Sequence, residues 1–211
     1  KAGVRFAILG NEEKCTGDLA RRSGNEMLFQ MLAKENVKTL NGQGIKTIIT
    51  QCPHCLNTLK NEYPEFGGQY KVLHHTQYLR KLNEEKRLPS GKTNMNATYH
   101  DPCYLGRYNR EYEAPRQLLD DAGVSSTEMP RHKHESFCCG GGGARMWMEE
   151  NLGTRINEER VREASDTGAD TVTTSCPFCM TMLSDGIASS SKSNQIQARD
   201  VAEILLESIE S

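Results

Sequence analysis

No apolar run in this chain approaches the about 20 residues needed to span a bilayer, and the mean hydropathy is −0.66. Charge of one sign is missing too: 26 basic and 28 acidic side chains leave a net charge of −2. Without a basic run, the electrostatic footprint of a nucleic-acid binder is absent. Aromatic residues are scarce at 6%, and only 36% of residues are hydrophobic. A chain of 211 residues has the length of one large domain or two small ones, and that apolar content is lean for its core. Something besides apolar burial is expected to help hold the fold. The chain starts at Lys1, with no methionine and no charged segment leading into an apolar one, so no secretory leader is expected in these residues. The expectation is a piece of a longer polypeptide.

Cysteine is what the chain has in excess: Cys15, Cys52, Cys55, Cys103, Cys138, Cys139, Cys176 and Cys179. A shift of 124 positions carries Cys15, Cys52 and Cys55 onto Cys139, Cys176 and Cys179 without a gap. The same shift carries Gly17 to Gly141, Arg21 to Arg145, Glu35 to Glu159, Gly44 to Gly168, Thr50 to Thr174 and Pro53 to Pro177. Self-similarity at a fixed offset marks a tandem duplication. The counterpart of Cys103 then falls upstream of Lys1, so the first half is expected to be a truncated copy.

Short apolar or β-branched runs predict strands at 4–9, 45–50, 70–73, 98–100 and 171–174. Helical spacing predicts helices over 18–40, 144–164 and 199–209, the first two closed by glycines. Alternating strands and helices, repeated, argue an α/β fold: two tandem homologous domains, 1–95 and 96–211, with short parallel sheets flanked by helices and a pseudo-twofold relation. Each Cys-Pro-x-Cys falls after a strand and opens a helix, where Pro is favourable. The free N–H groups and dipole of that helix end should lower the thiol pKa.

Four chemistries compete for these thiols. A disulfide scaffold suits a small secreted chain rather than this one. Thiol–disulfide exchange at Cys52 and Cys55 leaves Cys15, Cys103 and the Cys138–Cys139 pair unexplained. A structural zinc held by Cys52, Cys55, Cys176 and Cys179 suits the paired spacing and would make a zinc-stabilised interaction module, but leaves four cysteines unused. An iron–sulfur site accounts for the second half, where Cys103, Cys138, Cys139, Cys176 and Cys179 offer five soft ligands, more than one tetrahedral zinc takes. The run Gly140–Gly143 would let backbone approach a bulky inorganic group. As a phosphate loop the run fails, since no Gly-Lys-Ser/Thr follows.

Cys103, 34 residues, Cys138-Cys139-Gly140, 35 residues, then Cys176-x-x-Cys179 resembles the cysteine-rich "CCG" domain. That domain occurs, twice in tandem, in the cysteine-rich subunit of heterodisulfide reductase and in related iron–sulfur oxidoreductases. The first-half stretches around Lys14-Cys15-Thr16-Gly17 and Cys52-Pro53-His54-Cys55 are most similar to a membrane-anchored branch that passes electrons from electron-transfer flavoprotein to quinone. The resemblance implies that Cys103, Cys138, Cys139, Cys176 and Cys179 bind a noncubane [4Fe-4S] cluster. In the first half Lys14 stands where Cys138 stands in the second, so Cys15, Cys52 and Cys55 would hold a second [4Fe-4S] cluster or a zinc only with a fourth ligand from elsewhere in the protein. It further implies an oxidoreductase with a flavoprotein or dehydrogenase as donor and a quinone or disulfide as acceptor. Other iron–sulfur segments would be neighbours, and nucleic acid would not be a partner. A heterodisulfide-reductase-like disulfide reduction at the second-half site is the alternative reaction. The expected location is the cytoplasm, on the cytoplasmic face of a membrane where other parts of the protein supply an anchor.

His100, near Cys103, is a candidate hydrogen-bond donor to a cluster sulfur, or a strand cap. His74-His75 reads as a surface pair, with a ligand pair as the other reading. Arg21 and Arg145, in equivalent places, could offset cluster charge or pair with helix-surface carboxylates. Met146, Trp147 and Met148 are expected to pack between the halves.

Overall fold

The computed structural model describes residues 1–89, 91–190 and 195–210. In chain order the elements are α1 (Asp18–Arg22), α2 (Glu26–Gly42), β1 (Thr47–Thr50), α3 (Pro53–Asn57), β2 (Lys71–His74), α4 (His75–Glu84), β3 (Asn96–Tyr99), α5 (Glu113–Asp121), β4 (Ser125–Ser126), α6 (Ile156–Ser165), β5 (Thr171–Thr174), α7 (Pro177–Ser189), β6 (Gln197–Asp200) and α8 (Val201–Glu210). Among the described residues every strand pairing is parallel: β1 with β2 in one sheet, and β4-β3-β5-β6 in the other. This is the α/β class expected, with helices supplying the crossovers that parallel strands require.

Local sequence explains the elements that build the site. α2 starts where the Asn25 side chain accepts from the Leu28 N–H at 3.1 Å, an N-cap arrangement. Its stripe Phe29, Ala33, Val37 and Leu40 packs with Leu56, Tyr63 and Val72, the i, i+4 pattern of a helix laid on a sheet. Leu105, from the second half, is buried in this same core. Over the larger sheet, Ala97 and Tyr99 pack with Leu118, Leu119, Val201 and Ile204 on one side. Val172 packs with Val161, Leu183 and Ile187 on the other.

The two copies face one another through equivalent residues. The Cys52 thiol neighbours that of Cys176, and the His54 ring meets Phe178 edge-on at 4.9 Å. Each pair is related by the 124-residue shift, and contact between equivalent positions is what a twofold relation produces. His75 reaches Asp200 across the same face at 3.3 Å.

Several expectations need correction. Residues 4–9 form no strand: the second-copy counterpart β4 pairs with β3, and no β3 equivalent stands beside 4–9 among the described residues. The helix expected over 18–40 is two, broken at Gly24, whose φ of 89° is left-handed. That expected over 144–164 begins only at Ile156: Ala144 and Gly153, with φ of 63° and 70°, interrupt the span, and only a single 3-10 turn, Arg145–Trp147, forms between them. Trp147 and Met148 are exposed rather than packed between the halves, whereas Met146 lies against the cysteines. His74 and His75 are buried, not a surface pair. The expected lowering of the thiol pKa is met at Cys176 but not at Cys52, Cys55 or Cys179, all of which are pushed up.

Candidate metal centre

Both Cys-Pro-x-Cys motifs sit at the ends of equivalent strands, β1 and β5, with Cys52 and Cys176 at the N-caps of α3 and α7. Proline follows each in the first turn, where its missing N–H costs nothing. Cys103 lies in the turn after β3, and Cys138 and Cys139 precede the glycine run. These loops bring seven thiols together in series, each shifting the titration of the next: Cys103 with Cys138, Cys138 with Cys139, Cys139 with Cys179, Cys179 with Cys176, Cys176 with Cys52, and Cys52 with Cys55. Cys139, Cys176 and Cys179 are buried with Met182. Cys15 stands apart and exposed; its sulfur accepts the Gly17 N–H at 3.4 Å. The Gly141 N–H, in the corresponding place, pulls the Cys139 thiol pKa down against the neighbours that raise it.

Proton sharing along the series is uneven. Cys138 is held far below its ordinary value by hydrogen bonds from Cys103 and Cys139 and by the Gly140 N–H at 3.3 Å. Burial opposes ionisation of Cys176, but donors Cys179 and Cys52 on either side bring it down to about 5. The donors shift the other way: Cys52 is pushed up to about 12, first by donating to Cys176. Neighbouring thiols, rather than the helix end alone, therefore decide which sulfur ionises.

The arrangement fits a polynuclear sulfur-bound group better than a single zinc. Four sulfurs around zinc sit about 3.8 Å apart at a Zn–S length of about 2.3 Å. Among the described residues the one trio of ligand atoms mutually within 4.8 Å is His100, Cys139 and Cys179. Thus Cys52, Cys55, Cys176 and Cys179 touch in series but do not gather into a tetrahedron. The glycine run leaves space beside the thiols: a Cβ on Gly141 would stand 3.1 Å from Met182 and 3.7 Å from the Cys139 sulfur. His100 adds a buried Nε2 with no hydrogen-bond partner among the described residues.

Residues that sequence reasoning missed brace these loops. Asp101, two positions before Cys103, takes both Arg116 Nη groups at 2.8 and 2.9 Å and the Lys133 N–H at 2.7 Å. Ser136, two before Cys138, donates to the Asp101 carbonyl at 3.2 Å, so the two loops are tied together. In the first half, buried Asp18 accepts from His54 Nδ1 at 2.8 Å, Arg22 at 3.0 Å and Thr58 at 3.3 Å. His54 stacks on Tyr104 at 4.0 Å, next to Cys103. A buried polar residue beside a cysteine was the available signal, but apart from Arg22, one turn from Asp18, its partners lie 15 to 40 positions away.

Other candidates resolve simply. Arg21 pairs with Glu62 and Glu26, and Arg145 with Glu150, so both engage carboxylates. His74 is enclosed, with Nδ1 against Thr76 at 2.7 Å and Nε2 against the Gln51 carbonyl at 3.1 Å; burial pushes it down to about 3, leaving a neutral ring. Lys14, in the place of Cys138, pairs with Glu35. No helix among the described residues is long and apolar enough to cross a membrane.

Comparison with known proteins agrees with the cysteine pattern. The cysteine-rich domain family, CCG, matches residues 1–60 and 97–184. EtfAB:quinone oxidoreductase of Syntrophomonas wolfei is 44% identical over 100% of this chain, which covers 30% of that protein. The probable iron-sulfur-binding oxidoreductase FadF of Bacillus subtilis is 45% identical over 99% of the chain and 30% of its own length. For one component of the dihydromethanophenazine:CoB–CoM heterodisulfide reductase of Methanosarcina barkeri the identity is 35%, over 99% of the chain and 53% of that component. The chain thus spans about a third to a half of these relatives, all named as oxidoreductases or reductases. With two matched stretches that together take in more than half of its residues and every one of its cysteines, the chain belongs to the cysteine-rich CCG domain family.

Proposed function

We propose that this chain is the electron-transferring part of an iron–sulfur oxidoreductase, with residues 1–95 and 96–211 as its two units. The single observation that carries the reading is the continuous series of seven thiols. Cys103, Cys138, Cys139, Cys176 and Cys179 would hold a noncubane [4Fe-4S] cluster, which when bound supplies one-electron redox chemistry. The chain's own part is to present the thiolates, exclude water and aim N–H groups of the glycine run at the sulfurs.

Cys15, Cys52 and Cys55 form an incomplete second site, for a [4Fe-4S] cluster or zinc. Among the described residues β1 pairs on one side only, whereas its equivalent β5 is flanked by β3 and β6. Phe6, Ile8 and Ile49 are exposed in the same half. A further strand of the protein added at that open edge, in the place β3 takes beside β5, would bring a fourth thiolate as β3 leads to Cys103. The Cys52–Cys176 contact makes the two sites adjacent, a path for electrons between a flavoprotein or dehydrogenase donor and a quinone or disulfide acceptor. Membrane association would come from other parts of the protein; one relative is named a probable membrane-anchored ferredoxin.

Rapid-mixing reduction of the full-length protein by a reduced flavoprotein, with a quinone analogue as acceptor, tests this. Cys138→Ala and Cys139→Ala are expected to abolish transfer, and Cys15→Ala mainly to weaken metal retention in the first half. Full transfer rates in the Cys138 and Cys139 variants would take the second-half site off the path.

A further inference from the structure

We propose that His100 serves the second-half centre as a hydrogen-bond donor to bound sulfur rather than as a metal ligand, and that buried Arg160 fixes it in that role. The inference rests on the reading that an iron–sulfur group binds at Cys103, Cys138, Cys139, Cys176 and Cys179.

His100 ends β3 and is 1% exposed. Its backbone N–H donates to the Thr173 carbonyl at 2.8 Å, which anchors it to β5. On the ring, Arg160 Nε donates to Nδ1 at 2.9 Å. Arg160 is itself fully buried, and its guanidinium is held by Glu163 at 2.7 Å and the Arg131 carbonyl at 3.0 Å. An arginine offers only donors. Nδ1 must therefore accept, and a neutral imidazole whose Nδ1 accepts carries its proton on Nε2. That Nε2 is buried and meets no acceptor among the described residues, while the ring approaches Cys139 and Cys179 so that one nitrogen and both sulfurs lie within 4.8 Å of one another. Since Nδ1 is taken, Nε2 is the nitrogen left to face them.

The grouping of one histidine with two cysteines invites reading it as a ligand set. Polarity argues otherwise. A metal-bound histidine donates its second N–H to a carboxylate, carbonyl or water, which raises its basicity. Arg160 does the reverse, removing the lone pair of Nδ1 and leaving Nε2 without one. Coordination through Nε2 would require an imidazolate. An N–H aimed at sulfur instead favours the more negative, reduced state of a bound cluster and so raises its potential. Arg160 is the positioning residue, acting through the tautomer it selects.

The test uses anaerobically prepared full-length protein. Iron and acid-labile sulfide in the unsubstituted protein report on the underlying reading; their absence overturns that reading and this proposal with it. With iron present, His100→Leu is expected to retain it and to lower the midpoint potential of the second-half centre, and His100→Gln, which keeps an N–H, to recover part of the shift. Pulsed electron paramagnetic resonance on the reduced protein with 15N-labelled histidine needs no variant to fold, and a weak nitrogen coupling, of hydrogen-bond size, is expected. A strong coupling typical of a ligand, or an unchanged midpoint in His100→Leu, overturns the proposal.

Discussion

Replacing Asp18 by asparagine tests how the halves are held together, because shape is kept while charge is lost. The Asp18 carboxylate is 4% exposed; one oxygen accepts from Arg22 at 3.0 Å and Thr58 at 3.3 Å, the other from His54 Nδ1 at 2.8 Å. An amide retains one acceptor and turns the other into a donor facing the His54 N–H. Hydrogen bonds to a charged group contribute about 1.5–3 kcal/mol each, and breaking a buried charge pair costs about 3–5 kcal/mol. With the His54 bond lost and the Arg22 and Thr58 bonds kept on the remaining oxygen, the loss in Asp18→Asn is about 3 kcal/mol, where the two ranges meet. The effect should centre on the contact between halves, since His54 packs on Tyr104 and Phe178. At a urea slope of about 3 kcal/mol per molar, the midpoint falls by about 1 M. Burial pushes the Asp18 carboxyl up, but the hydrogen bond and charge of His54, with Arg22, pull it below 3.8. A depressed carboxyl contributes stability above its unfolded value and loses it as pH falls through the folded one. The gap between wild type and Asp18→Asn should therefore be full at neutral pH and close below 3.8. Anaerobic urea titrations at matched metal content measure it. A loss under about 1 kcal/mol, or a gap unchanged into acid, would refute the reasoning.

Cys176→Ser and Cys179→Ser are expected to lose the bound group and expose the second half to protease, because structural metal can contribute about 10–16 kcal/mol in small sites; limited proteolysis with metal analysis reads both. Asp101→Asn breaks the bidentate Arg116 pair and is expected to cost about 3 kcal/mol and to slow metal incorporation, since the Cys103 and Cys138 loops lose their shared tie; iron uptake followed by visible absorbance checks this. Gly141→Val should lower cluster content more than Gly142→Val, because a Cβ at Gly141 meets Met182 at 3.1 Å whereas one at Gly142 meets nothing within 4 Å; iron per chain decides between them.

The duplication was readable because cysteine, glycine and proline keep their spacing where chemistry and tight turns demand them. It correctly put each Cys-Pro-x-Cys at a strand end. What spacing could not convey was the meeting of the copies, in which Cys52 touches Cys176 and His54 meets Phe178. The strand β6, Gln-Ala-Arg-Asp, escaped because its sequence lacks an apolar run; pairing with β5 makes it a strand. Residues 4–9 are the opposite case, apolar enough for a strand but without a partner strand alongside. Local propensity sets what a segment can become, and the available neighbour decides. The bracing groups were hidden for the same reason: Arg160 reads as an ordinary polar position of an amphipathic helix until the fold buries it against His100.

Iron and acid-labile sulfide, measured on full-length protein prepared without air, test the central claim most directly. About four irons with matching sulfide in the second-half centre are expected, with broad visible absorption and a paramagnetic signal on one-electron reduction or oxidation, all lost in Cys138→Ala. Stoichiometric zinc without sulfide would contradict it.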